Sequence, residues 1–386
     1  MSRLLKALAM AAALGALAAS TGAQIPRPHD RPARAFEKPL ASVPPWTIPS
    51  DAKIRATLAD LVERRHVAPG FVIGIIEPSG RRIIAYGRRD ADDPRPLDGQ
   101  TLFEMGSITK LFTALLLTDM ADRGEVKLSD PAVRLAPPGM SLPVRAGREI
   151  TLLDLVTHTS GLPDFPANLG HKTALNPFAD YSEAKLESFL AAYHLPRVPG
   201  ATWDYSSLGV GLLGDLLARR ENTDYESLVR ARILAPLGMR DTGVTLTTAQ
   251  RARLTPGHTT AWTRAPNWDL PVLEGCAGLK SDADDMLSFL AANLGYDHTA
   301  LDPALASMLS VKRPTDWPSD RQAIGWIVSQ TSMGEVVHHE GETAGYRTYV
   351  AFDPVRRTGI VLLANAHTPV DLGDVGDLIL IGTRRS

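Results

Sequence analysis

The chain has 386 residues and a single cysteine, Cys276. One thiol closes no loop within the chain, so a disulfide framework is excluded. A chain of this length buries enough core to be stable without one. Charge of one sign is also missing. The net charge is −2, with no run of like charge. That leaves no electrostatic footprint for nucleic acid. The histidines are scattered, with no His-Glu-x-x-His pair, which argues against a metal hydrolase. Neither a metal nor a cofactor is implied. No Gly-x-Ser-x-Gly elbow is present, so the α/β-hydrolase route to a serine nucleophile fails. Glycine-rich phosphate loops and internal repeats are absent as well.

Ala7 to Ala19 is rich in alanine and leucine but too short to span a bilayer comfortably. Arg3 and Lys6 precede it, and Ser20-Thr21-Gly22-Ala23 follow. Residues 1–23 therefore read as a secretory signal, cleaved after Ala18 or Ala23. No stable membrane span is expected after cleavage. Export without disulfides fits a bacterial periplasmic enzyme. Residues 24–49 are rich in proline and basic side chains and read as a linker to a folded body of 50–386.

Ser50 is placed to cap a helix through Asp51 to Arg65, with Ile54, Leu58 and Leu61 on one face. Phe71 to Ile76 and Arg82 to Tyr86 flank Pro78-Ser79-Gly80, a hairpin signal. More strand-like runs lie at the far end: Ile324 to Val328, Gly334 to His339, Tyr346 to Phe352 and Gly359 to Leu363. Helices are expected at Ser107 to Arg123, Leu152 to Val156, Ser182 to Tyr193, Leu208 to Arg219, Tyr225 to Ile233 and Ala283 to Leu294. A closing helix is expected over Val370 to Ile381. Strands at both ends with helices between predict an α+β fold: an antiparallel sheet flanked by helices, with an inserted all-helical lobe. The α/β lobe would hold about 50–105 and 300–386, and the helical lobe about 106–299.

Ser-x-x-Lys occurs three times, at Ser50, Ser107 and Ser182. Three residues is close to one helical turn, so the hydroxyl and the amine share a face. Ser50 and Ser182 open solvated helices and read as caps. Ser107 differs. Behind it come Leu111, Phe112, Leu115, Leu116, Leu117 and Met120, a helix apolar nearly all round and therefore buried. A polar pair at such a helix start is costly without partners or a task. A serine needs a neighbouring base to become a nucleophile, and Lys110 is at hand. The plainer alternative is a capping serine with a snorkelling lysine.

Two further segments bear on that choice. Tyr205-Ser206-Ser207 precedes a helix and offers a phenol. His339-Glu340-Gly341 closes a strand, where a glycine lets a ligand backbone approach the edge. His338 and His339 point to opposite faces. His158 and Ser160 form a tempting dyad, but Thr-His-Thr-Ser-Gly reads as a helix-ending turn. Cys276 reads as a small buried residue.

Together these segments resemble the serine β-lactamase and penicillin-binding-protein superfamily, in its class C β-lactamase and DD-peptidase branch. Its first motif, Ser-x-x-Lys, is matched by Ser107 and Lys110. Its second, Tyr-x-Asn or a variant, is matched by Tyr205-Ser206-Ser207. Its third, Lys-Thr-Gly or His-x-Gly, is matched by His339-Glu340-Gly341. Leu152 to Pro163, Ala277 to Met286, Tyr349 to Pro354 and Gly359 to Asn365 resemble other landmarks of the family.

The resemblance implies a serine hydrolase that forms an acyl-enzyme through Ser107. Lys110 and Tyr205 would share the proton transfers. The backbone N–H groups of Ser107 and Glu342 would form the oxyanion hole. His339, Gly341 and Ser207 would bind substrate, and a histidine there makes the charge pH-dependent. Departures narrow the substrate. Ser207 stands for the usual asparagine, and Glu340 replaces threonine. Thr368-Pro369-Val370-Asp371-Leu372 stands where class C enzymes hold a carboxylate with an Asn/Arg cluster. These changes fit hydrolysis of D-Ala-type peptidoglycan peptides, with weak β-lactam binding or hydrolysis. The alternatives are a carboxylesterase, a class C-like β-lactamase, or an inactive homologue that binds peptidoglycan or a protein. The expected partner is a small-molecule or peptidoglycan-derived substrate.

Overall fold

The computed structural model describes residues 45–93, 95–170 and 175–384. The signal expected at 1–23, and the expected linker up to residue 44, lie outside the described residues. The strands are β1 (Gly70–Glu77), β2 (Gly80–Gly87), β3 (Phe103–Glu104), β4 (Gly257–His258), β5 (Arg264–Ala265) and β6 (Lys280–Ser281). They continue with β7 (Arg313–Pro314), β8 (Asp320–Gln322), β9 (Ile327–Thr331), β10 (Gly334–Glu342), β11 (Arg347–Asp353) and β12 (Thr358–Ala364). An eight-stranded sheet runs in the order β2-β1-β12-β11-β10-β9-β8-β7. Its neighbours pair antiparallel. The first and last long strands meet side by side, with Phe71 opposite Ala364 and Ile76 opposite Gly359. The antiparallel sheet closed by strands from both ends is thus as the sequence predicts.

β1 shows why an uninterrupted apolar run makes a central strand. Successive side chains point to opposite faces. Val72 and Ile76 enter a core with Leu111, Phe112, Leu287 and Trp326. Phe71, Ile73 and Ile75 enter another with Ile54, Leu58, Leu372 and Leu380. Both faces are covered, so the strand carries no polar alternation. Within the stretch read as helical lobe, the helix Ala283–Leu294 lies against the sheet: a Cβ at Gly74 would meet Leu287, and one at Gly359 would meet Leu290 and Leu294.

Several expected elements shift for local reasons. The first segment is an α-helix only over Asp51–Ala59, followed by a π-helical turn, and Ser50 makes no side-chain cap bond. Arg82 instead holds this helix start, through the Pro49 carbonyl and the Asp51 carboxylate. Ser182 does cap, accepting from the Lys185 N–H at 3.4 Å. Trp46, in the stretch read as linker, donates from Nε1 to the Ile379 carbonyl at 3.1 Å. The strand expected at Ile324 to Val328 begins only at Ile327. Gly325 sits at φ +82°, and Ala323 N–H reaches back to Trp326 O at 2.7 Å, so this piece is a turn.

The helix expected from Ser107 is a 3-10 turn over Gly106–Ile108 followed by the α-helix Thr109–Asp122. Gly106 at φ +52° bends the chain, a conformation that favours glycine. Thr109 through Met120 are all buried. Gly341 explains how this turn is held. A Cβ there would collide with the Met105 carbonyl oxygen and Thr348 Oγ1. The Thr348 hydroxyl donates to that same carbonyl at 3.0 Å. The strand edge at Gly341 therefore receives the chain's own backbone. Gly341→Ala is expected to cost about 1–3 kcal/mol, the usual penalty of overpacking. Urea unfolding measures it, and an unchanged midpoint would contradict this contact.

Candidate active site

Ser107 Oγ accepts a hydrogen bond from Lys110 Nζ at 2.8 Å. The same amine donates to the Cys276 carbonyl at 3.0 Å and lies 5.0 Å from the centroid of the Tyr205 ring. Lys110 is only 1% exposed, so these acceptors replace water. Two threonines on the Lys110 helix bring the Cys276 carbonyl into position. Thr113 Oγ1 donates to Gly275 O at 2.7 Å, and Thr109 Oγ1 accepts from Leu279 N–H at 3.2 Å. Cys276 itself is buried, and burial pushes its thiol up to about 11, which leaves it protonated and inert.

Tyr205 is held from behind by His158. Their rings stack with centroids 4.3 Å apart. His158 sits at φ +56° and accepts Ser206 N–H on Nδ1 at 3.1 Å, while its carbonyl accepts Asp204 N–H at 2.8 Å. Burial, then the Lys110 charge, then His339 hold this imidazole neutral, well below its usual range. Ser160 Oγ accepts from Leu162 N–H at 3.2 Å. The expected structural turn is therefore present, but its histidine also forms the wall behind the phenol.

Ser206 caps the helix Ser207–Arg220. Ser207 N–H donates to Asp164 Oδ1 at 2.9 Å, so Asp164 is fixed at the cleft beside Ser207. His339 lies across the site on β10. Its Nδ1–H donates to the Glu340 carbonyl at 2.7 Å, which leaves Nε2 as the unprotonated nitrogen. That Nε2 is buried and has no hydrogen-bond partner among the described residues. Burial first, and the Lys110 charge second, push His339 down to about 4. The expected pH-dependent positive charge is thus absent near neutral pH.

The backbones of Gly106 and Glu342 touch: a Cβ on Gly106 would lie 2.5 Å from Glu342 N. Ser107 and Glu342 are thereby neighbours. The Glu342 carboxylate turns to Arg347 at 3.3 Å and His367 at 3.2 Å. Arg347 also donates to the carbonyls of Thr368 and Val370, at 2.7 and 3.3 Å. The segment that lacks an Asn/Arg cluster therefore supplies carbonyls that orient an arginine from β11. Sequence reasoning missed Asp164, Arg347 and the stacking of His158. Ser107, Tyr205, Ser207 and Glu342 share a cavity of about 650 Å³. Ser107, Tyr205, His339, Gly341 and Glu342 line a smaller one of about 170 Å³.

The profile of the family described as Beta-lactamase matches residues 51–382. The chain belongs to the β-lactamase family. The D-alanyl-D-alanine-carboxypeptidase/endopeptidase AmpH of Escherichia coli is similar at 29% identity, covering 76% of this chain and 78% of that protein. A β-lactamase of Lysobacter lactamgenus is 26% identical, covering 85% and 90%. Among solved structures, a β-lactamase/D-alanine carboxypeptidase from Yersinia pestis superposes with a TM-score of 0.74 at 25% identity, covering 85% and 95%. The class C β-lactamase of Rhodobacter sphaeroides gives 0.71 at 24%, covering 82% and 95%. The second of these likenesses is one of fold. No described helix is long and apolar enough to cross a membrane.

The burial of His339 has a consequence for stability. Its pKa is about 4 folded, against 6.5 ordinarily. Between those values the unfolded chain binds more protons, so falling pH favours unfolding. The His339 contribution is intact above about 6.5 and lost by about 4. The Tm of wild type should fall through that window, and His339→Gln should flatten part of the fall. A variant with the wild-type slope would contradict the burial.

Proposed function

We propose that this chain is an exported serine hydrolase that forms an acyl-enzyme through Ser107. The observation that carries the reading is the Lys110 amine 2.8 Å from Ser107 Oγ, with the Tyr205 ring beside it. Ser107 Oγ attacks the acyl carbonyl, and its proton passes to the Lys110–Tyr205 pair. The pair returns a proton to the leaving group as the old acyl bond breaks. Water then attacks the ester on Ser107 and regenerates the hydroxyl. Ser107 and Glu342 N–H groups receive the developing oxyanion. His339 stands neutral in the lining of the smaller cavity, beside Ser107 and Tyr205.

For the acyl donor we favour a D-Ala-type peptide of peptidoglycan, supported by the likeness to AmpH. A second reading, a carboxylesterase, is favoured by one observation. Arg347, a cation at the smaller cavity, is already paired with Glu342. A substrate carboxylate must displace Glu342 to use it, whereas an ester without one need not.

A substrate panel separates these readings: a D-Ala-D-Ala peptide, a D-aminoacyl amide, a chromogenic cephalosporin and a short-chain nitrophenyl ester. Ser107→Ala should abolish turnover of every substrate the wild type accepts. Lys110→Ala should lower kcat by about 10²–10⁴, the usual worth of positioned acid–base catalysis. Turnover of the ester alone would overturn the peptide reading. Glu342→Gln should raise kcat/KM for the carboxylate-bearing peptide relative to the ester. An unchanged ratio would remove Glu342 from substrate choice.

A further inference from the structure

The larger cavity at Ser107 has one side on which the described residues are apolar or aromatic. Phe165, Leu169, Leu175, Pro177, Phe178 and Trp268 line it, and the catalytic side of the same space holds Ser107, Tyr205 and Ser207. Three of these rings form a ladder. Phe178 lies 5.5 Å from Phe165 and 5.3 Å from Trp268, centroid to centroid, in tilted and edge-on arrangements. The ladder is braced. Trp268 Nε1 donates to Leu175 O at 2.9 Å, and Trp268 N–H donates to the buried Glu104 carboxylate at 2.8 Å. Burial raises the pKa of Glu104, whose position three residues before Ser107 ties the aromatic wall to the nucleophile.

Phe165 and Leu175 are 44% and 40% exposed, and both stand at this cavity. Large apolar side chains left in water at the mouth of a cavity mark a place where a ligand covers them. A volume of about 650 Å³ is in the range of small-molecule sites, and the wall continues directly to Ser107. Among these six side chains only the Trp268 indole N–H can donate a hydrogen bond, and it is already used.

We infer that the acyl donor hydrolysed at Ser107 carries a bulky apolar group, aryl or medium-chain alkyl, and seats it on the Phe165–Phe178–Trp268 wall. This rests on the reading of Ser107 as the nucleophile, and it weighs toward the ester reading, because the stem peptides of peptidoglycan carry small or charged side chains rather than such a group. Phe165 and Trp268 are specificity-determining residues in this assignment. They grip the part of the substrate that does not react, and each methylene seated there should raise kcat/KM by about fourfold until the wall is filled.

Two ester series test it. One lengthens the acyl chain from acetate to decanoate with nitrophenol constant, and the other enlarges the alcohol of a constant acetyl ester from methyl to benzyl. A small fluorophosphonate titrates active Ser107 in every sample. One series should gain about tenfold or more in kcat/KM along its length. Phe165→Ala, at a half-exposed position, and Trp268→Ala should each remove most of that gain, with the gain rather than the rate on the shortest ester as the readout. If the fluorophosphonate labels Ser107 but neither series gains, the apolar subsite is wrong while the nucleophile stands. A gain that both variants keep in full would place the group elsewhere and also overturn the assignment. If Ser107 is not labelled in folded protein, the underlying reading fails first.

Discussion

The site depends on a lysine amine taken out of water. Lys110 is among the largest fully buried side chains of the described residues, alongside aromatic ones. Burial of a polar group is costly unless its hydrogen bonds are replaced. Here a hydroxyl and a main-chain carbonyl replace them, from Ser107 and Cys276. Each acceptor is secured by other parts of the chain. The Ser107 turn is pressed against β10 where Gly341 leaves room, and the Cys276 turn is tied to the Lys110 helix by Thr109 and Thr113. The apolar helix, the glycine on the strand and the two threonines thus serve one requirement.

That buried amine also sets the state of its neighbours. It contributes, after burial, to keeping both His158 and His339 neutral. The two imidazoles then have different duties. His158 stacks on Tyr205 and takes a backbone N–H, so it positions the phenol. His339 keeps a buried Nε2 that has no partner among the described residues. A neutral histidine at this strand end brings no positive charge to the cleft near neutral pH. The Glu342–Arg347 pair points the same way, because the arginine is already matched.

Much of this was legible in the sequence, for physical reasons. Ser107 and Lys110 are one turn apart, so a local pattern reports a spatial pair. The apolar run behind them announces burial, and the strand-rich ends announce the sheet. Ala283–Leu294 and Leu152–Val156 fall where the sequence predicts them. The shape of the Ser107 turn was not legible, because the left-handed Gly106 and the collision at Gly341 are set by contacts across the fold. The Cys276 carbonyl leaves no side-chain signature at all. Arg347 pairs with Glu342 only because β10 and β11 are adjacent in antiparallel register. The aromatic wall gathers Phe165, Phe178 and Trp268 from segments far apart in the chain, and no spacing rule joins them.

Acylation of Ser107 is the step on which the proposed function rests. The most direct measurement is peptide mapping by mass spectrometry after brief exposure of the folded protein to a labelled penicillin or fluorophosphonate. Acylation through Ser107 predicts one adduct, on the peptide that contains Ser107, and no adduct in Ser107→Ala. A folded protein that takes no label, or carries it on another residue, would contradict it.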